Sequence, residues 1–76
     1  MERYYLSLKG KLAPVEGLSI PRIGEMIELR APEHFQQEKM GVYLVKNVLH
    51  DIKEIKEGTL EASLPRVLLE PILVKN

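Results

Sequence analysis

The chain has 76 residues, no cysteine, and eleven basic residues balanced by eleven acidic ones. This length predicts one small domain spanning residues 1–76, and the missing cysteines exclude disulfides, zinc–thiolate sites and cysteine nucleophiles. A net charge of zero gives no overall field that would attract nucleic acid or an anionic membrane.

The first segment, residues 3–12, alternates apolar and polar side chains and predicts a strand with one buried face. The residues expected on the buried face are Tyr4, Leu6 and Leu8. The stretch "APVEGLSIPRIGE" follows, and it contains two prolines and two glycines. We expect it to form consecutive turns, because glycine and proline are the strongest local breaks in regular structure.

Residues 25–30, "EMIELR", predict a second, half-buried strand in which Ile27 and Leu29 point towards the core. The next stretch, "APEHFQQEKMG", is the one with helix signals: Pro32 suits a first turn and Gly41 a C-cap. About two turns would fit, so a short helical turn at residues 32–40 and a hairpin loop remain alternatives.

Residues 41–54, "GVYLVKNVLHDIKE", carry apolar residues on both faces at first and polar ones towards the end. This pattern predicts a central strand that bends, as long strands in small barrels do. "KEIKEG" then predicts a turn with Gly58 in the left-handed region. Residues 59–64 predict the returning strand of a hairpin, with Leu60, Ala62 and Leu64 facing inwards.

The last segment, "PRVLLEPILVKN", holds more apolar residues than a final strand with one solvated face needs. Because contiguous exposed apolar patches on soluble proteins usually mark interfaces, it is predicted to be a self-association surface. The residues expected at this interface are Val67, Leu68, Leu69, Ile72 and Leu73. The alternative is a monomer in which this segment closes the barrel.

Catalytic and metal-binding patterns are weak in this sequence. His50 and Asp51 are neighbours in a predicted strand and would point to opposite faces, so they do not form a dyad unless the backbone is bulged there. No serine lies in a nucleophile elbow. His34 and Glu38 have helical i, i+4 spacing, but two ligands do not make a metal site. We expect no cofactor and no metal, and we keep a small enzyme using His50 or His34 as an alternative.

A nucleic-acid-binding small barrel is a further alternative, because such barrels combine aromatic rings with basic residues on one face. A candidate ligand face is formed by three residues that lie on the same side of the predicted first strand: Arg3, Tyr5 and Lys9. Affinity for phosphates depends on accumulated positive charge, which a zero net charge does not supply.

Three runs, "IPRIGEMIELR", "GVYLVKNVLHDI" and "TLEASL", together resemble small bacterial SH3-like barrel domains. In these domains a Pro-x-x-Gly-Glu/Asp turn, here Pro21 to Glu25, leads into a strand, and a Tyr-x-Val-x-x-Val strand, here residues 43–48, comes later. The resemblance spans residues 21–64 and carries over no catalytic residue. The chain departs from the pattern in its "APEHFQQEKM" insertion and its apolar tail.

The sequence therefore predicts an all-β domain, either a strongly bent antiparallel sheet or a five-stranded SH3-like barrel. The expected function is a non-enzymatic interaction or assembly module that forms homo-oligomers. No signal peptide and no apolar run long enough for a membrane span occur, so we expect a cytoplasmic protein without membrane contact.

Overall fold

The computed structural model describes residues 1–30 and 40–74, and every regular element in them is a β-strand. The strands are β1 (Glu2–Leu8), β2 (Lys11–Gly17), β3 (Met26–Leu29), β4 (Gly41–Leu49), β5 (Ile52–Lys56), β6 (Thr59–Ala62) and β7 (Arg66–Val74). The all-β prediction is confirmed. The helical turn predicted for residues 32–40 lies outside the described residues, apart from Met40.

Five strands form one curled sheet in the order β2-β1-β7-β4-β3, and β5 pairs only with β6 in a separate two-stranded sheet. The C-terminal strand β7 is thus the middle strand of the larger sheet. It runs parallel to β1 and antiparallel to β4. The parallel pair departs from the predicted antiparallel sheet, and β4 lies beside the central strand.

The turn between β1 and β2 corrects the prediction for residues 3–17. Lys9 and Gly10 have φ angles of 51° and 81°, the conformation of a two-residue turn that returns the chain directly into an antiparallel strand. "KLAPVEG" is therefore a strand and not a series of turns. Pro14 is tolerated within it because β2 is an edge strand.

The entry into β3 agrees with the predicted turn and strand. Gly24 has a φ of 92°, and the amide of Glu25 donates to the carbonyl of Arg22 over 3.1 Å. The amide of Gly24 then donates to the carbonyl of Val45 over 2.9 Å, which attaches the turn to β4. Ile27 is half-buried and packs against the core, as predicted.

The core lies on the concave side of the curled sheet. It consists of the side chains of Tyr4, Leu6, Leu8, Ala13, Tyr43, Val45 and Val67. The inward face predicted for β1 is confirmed by the first three of these. The core is small, as expected for a chain of this length.

Burial of Tyr4 provides a pH prediction. Desolvation raises the pKa of the Tyr4 phenol above its ordinary value of 10.0. The unfolded chain therefore loses this proton at lower pH than the folded chain, so the free energy of unfolding should fall as pH rises above 10.

Urea unfolding at a series of alkaline pH values would measure this fall. We expect Tyr4→Phe to make the decline shallower, because the variant lacks the buried phenol. Equal slopes for the unmodified chain and Tyr4→Phe would contradict the assignment.

The predicted hairpin of residues 41–64 forms only in part. The chain leaves strand geometry at His50 and Asp51, and β5 pairs with β6 around a turn in which Gly58 has a φ of 78°. Leu60, Ala62 and Leu64 were predicted to face inwards, but all three are exposed. The reason is that this hairpin projects away from the body, so neither of its faces meets the core.

Candidate functional site

Exposed large apolar side chains outnumber the buried ones among the described residues. They are Met1, Leu12, Leu18, Ile23, Met26, Met40, Leu49, Ile52, Ile55, Leu60, Leu64, Ile72 and Leu73. Single exposed apolar residues are normal on protein surfaces, whereas contiguous patches mark interaction sites. The position of these residues on the strands decides which of them form a patch.

The structure divides the residues predicted for the C-terminal interface into two groups. Val67 is fully buried in the core, and Leu69 packs against the core. Leu68 is half-buried on the opposite side of β7. Ile72 and Leu73, at the end of the strand, are 48 % and 70 % exposed. Only this end of β7 presents a large exposed apolar surface.

Register places Leu73 in an apolar patch on the convex face of the sheet. Leu73 pairs with Val42 and Met26 pairs with Leu44. Because Tyr43 points into the core, its neighbours on β4 point the other way. We call Met26, Val42, Leu44 and Leu73 the outer patch. Met26 is 69 % exposed, so the two ends of the patch are open to solvent.

Charged residues border the outer patch on the same face. Glu28 pairs with Val42, and Glu70 pairs with Leu44. The guanidinium of Arg30 lies 3.1 Å from a carboxylate oxygen of Glu28. An apolar centre with a charged rim is the composition found in protein–protein interfaces.

The sequence reasoning missed three of the four residues in the outer patch. It named Leu73 but not Met26, Val42 or Leu44. The sequence did indicate that this strand has a second apolar face, because residues 41–45 are apolar at both odd and even positions. The pairing of β4 with β3 and β7 was needed to show which of its two faces is buried in the core.

The candidate ligand face of Arg3, Tyr5 and Lys9 is assembled only in part. Arg3 and Tyr5 share the convex face of β1, while Lys9 lies in the turn after it. The Nε of Arg3 lies 3.2 Å from an oxygen of Glu16 on β2, which offsets its charge. Tyr5 has Arg66 of β7 as its neighbour, a cation that the sequence did not point to.

His50 lies between β4 and β5, at the rim of two clefts. One, of about 230 Å³, is lined by Leu49, His50, Asp51 and Arg66. The other, of about 550 Å³, is lined by Ile20, Pro21, Arg22, Ile23, Val48 and His50. We call the second of these the apolar cleft. Within residues 1–30 and 40–74 no three His, Asp or Glu side chains converge as metal ligands would.

His34, the second histidine of the enzyme alternative, falls outside the described residues, as does Glu38. The part of the chain that the structure describes contains no helix with the length and apolar character needed to cross a bilayer. No protein-family model matches this chain, and no curated protein or solved structure is significantly similar to it.

Proposed function

We propose that this protein is a non-enzymatic interaction module that self-associates through the outer patch, to which the C-terminal end of β7 contributes Leu73. The observation that carries the proposal is the exposure of Leu73 and Met26 on one apolar face of the sheet. Burying such a face removes apolar area from water, the main favourable term in protein association.

The total surface area supports this proposal. The chain has 5940 Å² of accessible surface, whereas a compact monomer of 8.7 kDa would have about 4,700 Å². The difference of about 1,200 Å² reflects the extended shape of the chain, and it is large enough for an interface of standard size, in which each partner buries roughly 800 Å².

A second copy of the chain is the occupant that the charges favour. Equal numbers of acidic and basic residues mean that two copies approach without net repulsion. The central side chains of the outer patch are uncharged and can face their own counterparts across a two-fold axis. Isologous contacts of this kind are the commonest in soluble oligomers.

The finer features of the sequence resemblance form part of the same proposal. The ordered turn from Pro21 to Glu25 and the strand carrying Tyr43, Val45 and Val48 support an SH3-like domain of bacterial type. The absence of cysteine is in keeping with a reducing, cytoplasmic location.

Light scattering coupled to size exclusion, over a range of concentrations, tests self-association. We expect a mass of at least twice 8.7 kDa for the unmodified chain. Leu73→Glu places a charge at the exposed β7 end of the patch and should raise the dissociation constant at least tenfold, about 1.4 kcal/mol. Leu18→Glu makes the same chemical change at a residue that is 95 % exposed and outside the patch, and it should have no effect.

A monomer at every concentration would overturn the proposal. A dimer that Leu73→Glu weakens no more than Leu18→Glu would show that the chain associates through another surface. Circular dichroism of both variants would establish that they remain folded.

A further inference from the structure

The β5–β6 hairpin, which we call the arm, stands apart from the body of the protein. Among the described residues, no Cα atom of β5 or β6 lies within 8 Å of a Cα atom in another strand. The molecule is correspondingly elongated, 49 Å by 23 Å by 22 Å. An isolated two-stranded hairpin is at best marginally stable in water, so the arm needs a surface to pack against.

One face of the arm is apolar and carries a single carboxylate. Ile52 pairs with Ala62 and Glu54 pairs with Leu60. These pairs lie two residues apart, so all four side chains share a face. Ile52 is 58 % and Leu60 67 % exposed. The opposite face carries the Lys53–Glu61 pair, whose opposite charges suit contact with water, and Ile55 lies at the irregularity between Glu54 and Lys56.

The arm carboxylate also has a defined position. An oxygen of Glu54 accepts a hydrogen bond from the amide of Gly58 at the arm's tip over 3.2 Å. This bond holds the carboxylate at the tip of the arm and leaves its negative charge in place.

The apolar cleft has the complementary composition. Ile20, Pro21, Ile23 and Val48 provide apolar walls, and Arg22 provides a cation. Within the described residues the Arg22 guanidinium has no ion pair, and Ile23 is 64 % exposed. The carboxylate of Glu25 accepts a hydrogen bond from the Arg22 amide, whereas the guanidinium is the cation that the cleft offers, beside its apolar surface, to a partner with an apolar surface and one negative charge.

We propose that the arm of one copy packs into the apolar cleft of a second copy, with Leu60 against Ile23 and Glu54 beside Arg22. This assignment rests on the proposed self-association and adds a second contact to it. The arm cannot fill the cleft of its own chain in this conformation. It begins at Ile52, four residues after Val48 in the cleft wall, and extends away from that wall.

The exchange is reciprocal in a two-fold pair. The arm leaves the body next to His50, which lines the cleft. Each copy therefore presents its own arm next to its own cleft, so that two copies can exchange arms in an isologous contact. Two arms and two clefts are covered in one dimer, and no arm or cleft remains free to extend a filament.

Disulfide trapping between two single-cysteine variants tests the exchange, because the natural chain has no cysteine. Leu60→Cys chains and Ile23→Cys chains, one of them tagged, are mixed and oxidised mildly. Each chain then holds one thiol, so a mixed disulfide joins two molecules. We expect the 60–23 heterodimer to form at least tenfold faster than the heterodimer of Glu61→Cys with Ile23→Cys. Residue 61 lies next to residue 60 but on the opposite face of the arm.

The outcomes separate this proposal from the one on which it rests. A dimeric unmodified chain with equal trapping at positions 60 and 61 would overturn the arm assignment and leave self-association intact. A monomeric unmodified chain would overturn both. Rapid monomeric disulfide formation in the Ile23→Cys/Leu60→Cys double variant, without dimers, would place the arm in its own cleft and also overturn the exchange.

Discussion

Val67→Asp is expected to unfold the domain at 25 °C. Val67 is fully buried and lies in β7, between Leu6 of β1 and Val48 of β4. The variant loses apolar burial and places an unpaired carboxylate in the core, which together cost at least about 4 kcal/mol. In a chain of about this length a single hydrophobic core rarely supplies more than about 3–5 kcal/mol of stability, so the loss removes most or all of it.

Leu73→Asp makes a similar change at the other end of the same strand and is the matched control. Leu73 is 70 % exposed, so this variant should keep its β-sheet circular dichroism and unfold cooperatively in urea. A folded Val67→Asp variant would contradict the central position of β7. Unfolding of both variants would contradict the division of β7 into a buried half and an exposed half.

The fold class was predictable from the sequence, but the position of β7 was not. Alternation in β1 and β3 identified the strands and their inward faces, because strand periodicity is local. The place of β7 depends on pairing with strands about sixty and twenty residues earlier in the chain. Its apolar excess was noticed, and part of it is explained by an interior strand that needs apolar residues on both faces.

The candidate site was predictable to a similar degree. The C-terminal segment, which was predicted to be an interface, contributes Leu73 to the outer patch. Leu69 faces the core instead, because it lies two residues after the buried Val67. A β-bulge at Ile72 in the β4–β7 pairing then turns Leu73, which would otherwise share that face, to the opposite one. The arm was identified as a hairpin, but nothing local in its sequence indicated that it projects from the body.

Gly41→Ala is expected to lower the free energy of unfolding by about 2–4 kcal/mol. Gly41 opens β4 with a φ of 156°, a conformation that side chains rarely adopt. A Cβ atom there would overlap the carbonyl oxygen of Leu73 and lie 2.7 Å from the Cα of Val74. Both are backbone atoms, so the strands must move apart to admit the methyl group.

Gly17→Ala is the control, since a Cβ there would meet its nearest atom, the carbonyl oxygen of Ser19, at an ordinary 3.7 Å. It should change the urea midpoint little. Because the clash at Gly41 displaces Leu73 itself, the Gly41→Ala variant should also dimerise more weakly than Gly17→Ala. Equal midpoints for the two variants would mean that β7 does not approach Gly41 this closely. If Gly41→Ala lost stability but dimerised as strongly as Gly17→Ala, the end of β7 would not take part in the dimer contact.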